Sequence, residues 1–454
     1  MRFARWITLP LILCAACVAQ NPRVEPPEKM PPIVARQREL SEDAGDKLLQ
    51  RALERFKDDA AVRELVQAVR GASSAPLTAG NRVSVLIDGP QTYSSIEDAL
   101  RAAHQDIHIE TFIFGAGEVG QRFAALLAQK RKAGVEVRVL YDSLGSRETP
   151  RKFFDELRQQ GVEVREFRPL SPVKTPEVWK LHNRDHRKII VVDGRIGFAG
   201  GINIDSTYSS ASSTKPGPER GLEDGWRDTH LRIDGPVVRQ LQTLFTQSWQ
   251  KAGPPAEFNG EEKYFPLIAP TGEDLVTVVA NDSESDDRSL YGTYLAAFTH
   301  ATKRLWITHA YFAPNEELLK AMIDAAHRGV DVRLIVPSFT DSRVVLNATQ
   351  ATFTQLLNAG VKIYELKDAL LHAKSVVIDG AVSIVGSANL DERSFLHNDE
   401  VNAIIISRDT AQRMEEVFKR DQQAAKPVEL ASWKQRSVWQ RMKEFFVNMF
   451  SYWI

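Results

Sequence analysis

The sequence predicts an α/β fold built as two similar lobes, each a sheet covered by helices. From Arg82 onward, short apolar β-rich runs alternate with helical runs, which is typical of a sheet layered with helices. The same order of elements returns after about residue 270. Two stretches, HRKIIVVDG (186–194) and HAKSVVIDG (372–380), also share the pattern H-x-K-x-x-x-x-D-G. A repeat of about half the chain indicates a duplicated domain and not a solenoid.

The N-terminus carries a signal-like segment, residues 1–19. A basic start precedes an apolar run from Trp6 to Ala19, which is shorter than the roughly 20 residues that a spanning helix needs. Three outcomes are open: cleavage after the run, lipidation of Cys17 as in a bacterial lipoprotein, or an uncleaved anchor. Cys14 and Cys17 are the only cysteines, so the body of the protein holds no disulfide and no thiolate metal site.

Residues 20–80 are predicted to form a tether followed by N-terminal helices. Residues 21–40 are polar and rich in proline, which favours a tether over a folded domain. Ser41 then precedes an acidic first turn and an apolar spacing that continues to Phe56, the pattern of a capped helix. A second helix is predicted over 60–70.

Residues 81–255 are predicted to form the first lobe and residues 270–425 the second. RVSVLIDG, DIHIETFIF and VEVRVLYD are predicted strands of the first lobe, and RLWITHAYF and VDVRLIVPS of the second. Helical patterns separate these runs. The join lies in KAGPPAEFNGEEKYFPLIAPTG, where proline and glycine interrupt regular structure.

Each repeated motif is predicted to form a hairpin that gathers polar side chains at its open end. In a strand, residues i and i+2 share a face, so each histidine points the same way as the lysine two positions later. The Asp-Gly pair predicts a tight turn in which Val192 pairs with Arg195. That register places Gly201 opposite His186 and Ser387 opposite His372. The residues just beyond, which the turn brings back beside the motif, are Asn203 and Asn389.

This set of side chains suits a phosphodiester. Lysine supplies a positive charge and asparagine supplies amide donors for phosphoryl oxygens. One histidine can attack phosphorus while a second protonates the leaving oxygen, so each repeat is half a site. Substitution then proceeds in two steps through a phosphohistidine. The candidate phosphate-binding residues are Asn203, Ser387 and Asn389.

Two carboxylates are candidates for orienting the imidazoles. Asp228 and Glu400 each open the strand that follows their own motif. A carboxylate that accepts a hydrogen bond from one ring nitrogen fixes the other nitrogen for chemistry. We therefore expect Asp228 to serve His186 and Glu400 to serve His372.

The motif aspartates lie at the other end of the hairpin. Asp193 and Asp379 occupy the turn, far from the histidines, and we interpret them as mainly structural, fixing the turn through local hydrogen bonds. Other histidines have no metal-ligand spacing, and no metal or nucleotide motif is present. His182, His309 and His397 are expected to line the mouth of the site.

The two motifs resemble the signature of the phospholipase D superfamily. In both halves H-x-K-x-x-x-x-D is followed by an asparagine motif, GGIN in the first and GSAN in the second. Within the superfamily the chain is most similar to bacterial cardiolipin synthases, from about Asn81 to about Arg420. The phrases that carry the similarity include HNRDHRKIIVVDGRIGFAGGINI, WRDTHLRIDGPVV and LHAKSVVIDGAVSIVGSANLDERSFLHNDEV.

The resemblance implies two pseudo-symmetric phospholipase D-type α/β/α sandwich lobes with the active site at their interface. It implies metal-independent, cofactor-free phosphatidyl transfer, in which two phosphatidylglycerols give cardiolipin and glycerol. His186 would be the nucleophile and His372 the acid and base, or the reverse, because the halves are nearly equivalent. A monomer is sufficient for a complete site. The residues that the family motif counts as catalytic are His186, Lys188, Asp193, His372, Lys374 and Asp379.

Three other functions compete with synthesis of cardiolipin. The closest uses water as the acceptor, giving a phospholipase D that makes phosphatidic acid. A nuclease of the same superfamily is disfavoured by the net charge of −1, because nucleic-acid binding usually requires a basic excess. A catalytically idle membrane scaffold is disfavoured by complete motifs in both halves.

The expected partners are a phospholipid substrate and a membrane surface, with no nucleic acid. Many synthases of this type begin with two transmembrane helices, whereas this chain has the signal-like segment alone. That difference favours the outer, periplasmic face of a bacterial inner membrane. At the other end, SVWQRMKEFFVNMFSYWI spaces its apolar residues as an amphipathic helix, predicted over 433–454. Such a helix suits a bilayer interface, the alternative being a helix packed on the body.

Overall fold

The computed structural model describes residues 29–56, 59–170, 182–212, 225–254, 258, 261–340 and 342–436. The predicted signal-like segment, with Cys14 and Cys17, lies outside these residues. So does the predicted C-terminal helix beyond residue 436. Within the described ranges, no helix is long and apolar enough to cross a bilayer.

The N-terminal region packs on the second lobe. Strands β1 (Ile33–Ala35) and β2 (Arg38–Glu39) form part of the predicted tether, and β1 also pairs with the first long strand of the body. Both predicted helices form, as α1 (Glu42–Leu53) and α2 (Asp59–Gly71). The hydroxyl of Ser41 caps α1 by accepting from the amide of Ala44 at 3.4 Å.

The first lobe is a mixed sheet with helices between its parallel strands. The element bounds are β3 (Leu77–Ile87), α3 (Asp88–Ala102), β4 (Asp106–Thr111), α4 (Glu118–Lys132), β5 (Glu136–Asp142), α5 (Arg151–Gln159), β6 (Glu163–Phe167), β7 (Arg184–Asp185), β8 (Ile189–Val192), β9 (Ile196–Gly200), β10 (Thr229–Asp234), α6 (Val238–Lys251) and α7 (Glu261–Tyr264). Strands β4, β5 and β6 are parallel, and β8, β9, β10 and β3 continue the sheet in antiparallel order.

The second lobe repeats this order. The bounds are β11 (Asp274–Asn281), α8 (Ser289–His300), β12 (Arg304–His309), β13 (Phe312–Ala313), α9 (Glu316–His327), β14 (Asp331–Pro337), α10 (Arg343–Asn358), β15 (Lys362–Leu366), β16 (Lys374–Ile378), β17 (Val382–Gly386), β18 (Leu390–Asp391), α11 (Glu392–Leu396), β19 (Asn398–Ile406), α12 (Arg408–Gln423), β20 (Ala425–Pro427) and α13 (Leu430–Lys434). Strands β15, β14 and β12 are parallel, and β16, β17, β19 and β11 follow in antiparallel order. β11 also pairs with β3, which joins the lobes into one sheet.

One hydrophobic core is shared by the lobes, a second lies within the first lobe, and a third joins the N-terminal helices to the second lobe. The shared core contains Ile189 and Leu231 from the first lobe and Val377 and Val401 from the second. These strands therefore bury apolar side chains on both faces, as the continuous apolar runs of the motifs predict. The packing holds the two H-x-K strands in a fixed relation to each other.

Each motif hairpin forms, with a register one residue away from the prediction. Val192 pairs with Ile196 and not with Arg195, and the second hairpin shows the same shift. Asp193 and Gly194 both adopt left-handed backbone, with φ of 53° and 60°, and Arg195 is an additional residue in the connection. The predicted placement of Gly201 opposite His186 and Ser387 opposite His372 is therefore displaced by one residue.

Candidate active site

The two motifs meet because each lobe sends a strand end into the other. The start of β19 runs parallel to β7, with Asp399 beside Asp185, and Arg227 forms the equivalent bridge to Leu371. Through this exchange the amide of His186 donates to the carbonyl of Asp399 at 2.9 Å. The residue that follows each bridge, which is Glu400 or Asp228, then enters the opposite half of the site.

The carboxylates contact the histidines across the lobes. Nδ1 of His186 lies 2.9 Å from both carboxylate oxygens of Glu400. Nδ1 of His372 lies 2.7 Å from Oδ2 of Asp228. The predicted pairing within each half is wrong, because the strands that carry the carboxylates cross to the other motif. In both cases Nδ1 is occupied, so Nε2 is the nitrogen left for chemistry.

Burial keeps both imidazoles neutral around pH 7. It lowers the pKa of His186 to about 4, although Glu400 acts in the opposite direction. It also lowers the pKa of His372, against the effect of Asp228. Burial alone would raise the pKa of Glu400, but His186 and Lys188 outweigh it and the pKa is lowered. Before a substrate binds, the site therefore pairs two ionised carboxylates, Glu400 and Asp228, with two neutral imidazoles, His186 and His372.

The motif lysines lie beneath the histidines. Nζ of Lys188 donates to the carbonyl of His186 at 2.6 Å, and Nζ of Lys374 donates to the carbonyl of His372 at 2.5 Å. Both lysines are buried. Burial lowers the pKa of Lys188 to about 7, with Glu400 opposing the shift. An ammonium placed this way is poorly solvated, so an anionic ligand would favour its charged form.

Ser387 contacts a carboxylate. Its hydroxyl donates to Oε2 of Glu400 at 2.5 Å, and its oxygen accepts from the amide of Val401 at 3.0 Å. The equivalent residue in the first half is Gly201, where an added Cβ would lie 2.2 Å from a carboxylate oxygen of Asp228. Ser387, which was predicted to bind phosphate, thus positions Glu400, whereas Gly201 leaves space for Asp228.

The two asparagines differ in their surroundings. Oδ1 of Asn203 accepts from the amide of Ile113 at 3.1 Å, and its Nδ2 donates to the hydroxyl of Tyr208 at 3.2 Å. Oδ1 of Asn389 is buried and has no hydrogen-bond partner within the described part of the chain. Asn389 is therefore the motif amide whose side chain is less committed to the protein.

Aromatic residues that the sequence did not single out line the histidines. The ring of Phe112 lies 5.0 Å from that of His186, and Trp226 lies 5.3 Å from His372. The hydroxyl of Tyr208 lies 3.2 Å from Nδ1 of His372. The only sequence signal is proximity, since Trp226 comes two residues before Asp228. Two further unpredicted residues, Ser394 and Asn398, donate to Glu400 at 3.0 and 3.2 Å.

Asp193 and Asp379 tie each hairpin turn to the rest of the sheet. The carboxylate of Asp193 accepts from the backbone amides of residues 104–106, and that of Asp379 from the amides of residues 302–304. Both have φ of 53°. The expectation of local bonds is wrong, because these contacts reach up to 89 residues back from Asp193 and up to 77 back from Asp379, to the loop that enters the neighbouring strand.

We expect Asp193→Ala to destabilise the fold by about 2 kcal/mol, because three amides lose a charged acceptor. Denaturant unfolding measures the loss. Asp193→Asn is the matched control, since asparagine tolerates left-handed backbone and keeps one acceptor, so its loss should be smaller. Unchanged stability together with lost turnover would instead place Asp193 in the chemistry.

The three histidines expected at the mouth divide into two groups. His182 is exposed, and its ring lies 4.9 Å from that of His397, the residue before Asn398, whose amide donates to Glu400. His309 is fully buried, and burial places its pKa well below the usual value. Its placement at the mouth is wrong, because it ends a central strand with Lys374 as its cross-strand neighbour. The described residues contain no cluster of three or more His, Cys, Asp or Glu that could hold a metal ion.

Comparison with known proteins assigns this geometry to a family. The family model described as cardiolipin synthase, PLD-like domain, matches residues 96–214 and 294–422, which together exceed half of the chain. The chain belongs to the phospholipase D superfamily, in its cardiolipin synthase group. The two matched segments include both H-x-K motifs.

Curated relatives and a solved structure agree with this assignment. The cardiolipin synthase of Geobacillus sp. (strain WCH70) is 36% identical over 390 residues, covering 86% of this chain and 76% of the relative. That of Geobacillus thermodenitrificans is 35% identical over 401 residues, covering 88% and 78%. The crystal structure of phosphatidylserine synthase from Haemophilus influenzae Rd KW20 covers 87% of this chain and 97% of its own, with a TM-score of 0.60 and 13% identity, which shows the shared fold. This phospholipase D superfamily member is a phosphatidyltransferase of the cardiolipin synthase type.

Proposed function

We propose that the protein transfers a phosphatidyl group from one phosphatidylglycerol to another, producing cardiolipin and glycerol. The observation that carries the proposal is the pair of crossed contacts, Glu400 with His186 and Asp228 with His372. Each contact occupies Nδ1 and leaves Nε2 for one phosphodiester. The cardiolipin synthases among the relatives support this choice of reaction.

In the first step, Nε2 of His186 attacks phosphorus. The P–N bond forms while the bond from phosphorus to the glycerol oxygen breaks. His372, which takes up a proton at Nε2 when the anionic phosphodiester binds beside it, donates that proton to the glycerol oxygen. Glu400 accepts from Nδ1 and stabilises the positive charge that His186 gains. Lysine must be protonated to stabilise phosphoryl oxygens, and the approach of the phosphate favours that form of Lys188.

In the second step, the hydroxyl of another phosphatidylglycerol replaces glycerol. His372, now neutral, takes the hydroxyl proton, the oxygen attacks phosphorus, and the P–N bond breaks. His186 returns to its neutral form and His372 to its protonated form. We expect Lys374 and Asn389 to contact the phosphoryl oxygens in both steps, with Asn203 contributing from the first half; the Oδ1 of Asn389, which has no partner among the described residues, supports this role for its side chain.

Products from phosphatidylglycerol vesicles test the reaction. We expect the purified protein to form cardiolipin and glycerol in equal amounts, resolved by lipid mass spectrometry and a glycerol assay. Phosphatidic acid with glycerol would identify water as the acceptor and a phospholipase D. Cleavage of oligonucleotides without turnover of lipid would identify a nuclease. Asp228→Asn with intact folding is the inactive control.

We also propose that the C-terminal segment binds membranes at the outer face of a bacterial inner membrane. The support is the apolar spacing of residues 433–454 and the basic residues Lys434, Arg436, Arg441 and Lys443 near its start. Deletion of residues 434–454 should weaken sedimentation with vesicles that contain anionic phospholipid. Unchanged sedimentation would favour a helix packed on the body.

A further inference from the structure

We propose that the catalytic edge of the two lobes is a membrane docking face, with Leu170 and Val344 entering the headgroup layer of an anionic bilayer. The catalytic edge is the end of the joined sheet at which His186 and His372 lie. The proposal rests on the proposed function only for the lipid nature of the substrate. It concerns the body of the protein and is separate from the C-terminal segment.

Strand directions place Leu170 on this edge. β4, β5 and β6 are parallel, and β4 runs antiparallel to β8 with Glu110 opposite Ile189. The carboxyl ends of the three parallel strands therefore lie beside the start of the H-x-K hairpin. Leu170 comes three residues after the last of these strands ends at Phe167, and it is 49% exposed.

The second lobe places Val344 in the corresponding position. β12 runs antiparallel to β16, with His309 opposite Lys374, and β14 is parallel to β12. The carboxyl end of β14 therefore lies at the histidine end of the sheet. Val344 is the second residue of α10, the helix that follows this strand, and it is 50% exposed beside exposed Arg343.

Half-buried aromatic side chains lie beside the two histidines at this edge. Phe112 packs against His186, and Trp226 and Tyr311 pack near His372. Aromatic residues with one end apolar and one end wet suit the membrane–water interface. The walls of the site at this edge are therefore partly aromatic, which adds to the apolar character of the two exposed side chains.

A cationic group at the same edge complements anionic lipid. Arg393 donates to the carbonyl of His182 at 3.3 Å, and the ring of His182 contacts that of His397. After burial, the neighbours His182, Arg393 and Arg288 lower the pKa of His397 to about 4. The exposed carboxylate of Glu284 is bonded to Arg168. Phosphatidylglycerol headgroups would satisfy this positive potential.

Lipid fits this face better than a second copy of the chain. The two apolar residues come from different lobes and stand beside cations, as in interfacial proteins that insert a few side chains while basic groups contact phosphates. A phospholipid presents its phosphate at the depth of the headgroups, so the mouth of the site must reach that layer. Docking by this edge brings His186 and His372 to the substrate without extracting it.

Leu267 provides a matched control on the opposite edge. It is 83% exposed, more than either proposed docking residue. Its neighbour Pro266 lies against Gly194, the turn glycine at the far end of the first hairpin from His186. A general attraction of exposed apolar groups to lipid would act on Leu267 at least as strongly.

Site-specific fluorescence measures which edge enters the bilayer. In the full chain with Cys14→Ser and Cys17→Ser, a polarity-sensitive dye is attached at Leu170→Cys, Val344→Cys or Leu267→Cys. With vesicles of phosphatidylglycerol and phosphatidylcholine, we expect a blue shift and quenching by lipid-borne quenchers at positions 170 and 344, and neither at 267. Equal changes at all three positions, or none at 170 and 344 in protein that sediments with vesicles, would overturn the proposal.

Kinetics separate docking from chemistry. Leu170→Asp combined with Val344→Asp should lower cardiolipin formation from vesicles about tenfold, because charge replaces inserted apolar area. Turnover of monomeric short-chain phosphatidylglycerol by the double variant should be unchanged. Leu267→Asp should turn over both substrates at the wild-type rate. Equal rates on vesicles in an active enzyme would reject docking. The proposal would also be rejected if the wild type formed a dimer without lipid, the double variant lost that dimer, and the dyes at 170 and 344 showed no change with vesicles. That result would identify a second copy of the chain as the occupant of this edge.

The two proposals fail in different ways. A wild-type protein that makes no cardiolipin contradicts the proposed function, whereas the fluorescence changes do not depend on turnover. An active wild-type enzyme whose dyes at 170 and 344 report only water contradicts the docking face and leaves the reaction intact.

Discussion

Replacing His186 by alanine is expected to abolish both the phosphoryl-protein adduct and the formation of cardiolipin, with a loss of about 10⁴-fold or more. The reason is that Nε2 of His186 forms the bond to phosphorus, and the described residues of the site hold no other neutral nucleophile paired with Glu400. Its pKa of about 4 leaves the ring neutral at pH 7. Protonation of His186 should therefore limit formation of the adduct in the wild type only as the pH falls towards 4.

The measurement uses a phosphatidyl ester with a p-nitrophenol leaving group, labelled with radioactive phosphorus. This leaving group needs no proton, so His372→Ala should still form the acid-labile adduct and then release it slowly. His186→Ala should form none. His104→Ala is the matched control, because His104 is exposed and only its backbone amide contacts Asp193. An adduct at full level in His186→Ala would assign the attack to His372.

Replacing Glu400 by glutamine should slow formation of the adduct by about 10³-fold or more, although Glu400 lies in the second half of the chain. Glutamine keeps the size and part of the hydrogen bonding but removes the charge that stabilises His186 as it becomes positive. The partner of His186 is decided by the contact with Nδ1 at 2.9 Å, so Glu400→Gln should resemble His186→Ala. Asp228→Asn should resemble His372→Ala.

Rapid-quench kinetics with the activated and natural substrates distinguish the two carboxylates. Asp228→Asn should form the adduct normally from the p-nitrophenyl ester and poorly from phosphatidylglycerol, because only the second reaction needs an acid. Glu400→Gln should be slow with both. Ser387→Ala removes one hydrogen bond from the same carboxylate and should cost about tenfold. If Asp228→Asn were slow with both substrates and Glu400→Gln were slow only with phosphatidylglycerol, Asp228 would be the partner of His186 and Glu400 the partner of His372.

The fold and most of the site follow from local patterns. Period-two spacing in the motifs puts His186 and Lys188 on one face, and apolar runs place the strand in the core. The Asp-Gly pair predicts the turn, and duplication predicts a second half. Side chains without a pattern were missed, as with Trp226 and Tyr208, because contact with a histidine in the other half leaves no mark on nearby residues.

The register of the hairpins and the hydrogen-bond partners of Asp193 and Ser387 do not follow from the local pattern of each motif. One extra residue after the left-handed pair at 193–194 shifts the hairpin, and a turn signal does not specify how soon pairing resumes. The aspartate of the turn reaches amides nearly 90 residues earlier. Ser387 was expected to contact phosphate, and the structure places its hydroxyl on Glu400, because the carboxylate arrives from a neighbouring strand.

By itself, the sequence determined that this protein has two α/β halves, each with histidine, lysine and asparagine at the end of a buried hairpin, and that the pair suits a phosphodiester. Chain proximity carries such information, because side chains two residues apart, or joined by a short turn, must lie together. Only the tertiary structure decided that Glu400 serves His186 and Asp228 serves His372. The exchange depends on two strand ends crossing between lobes, and such long-range pairing is set by how the sheets pack.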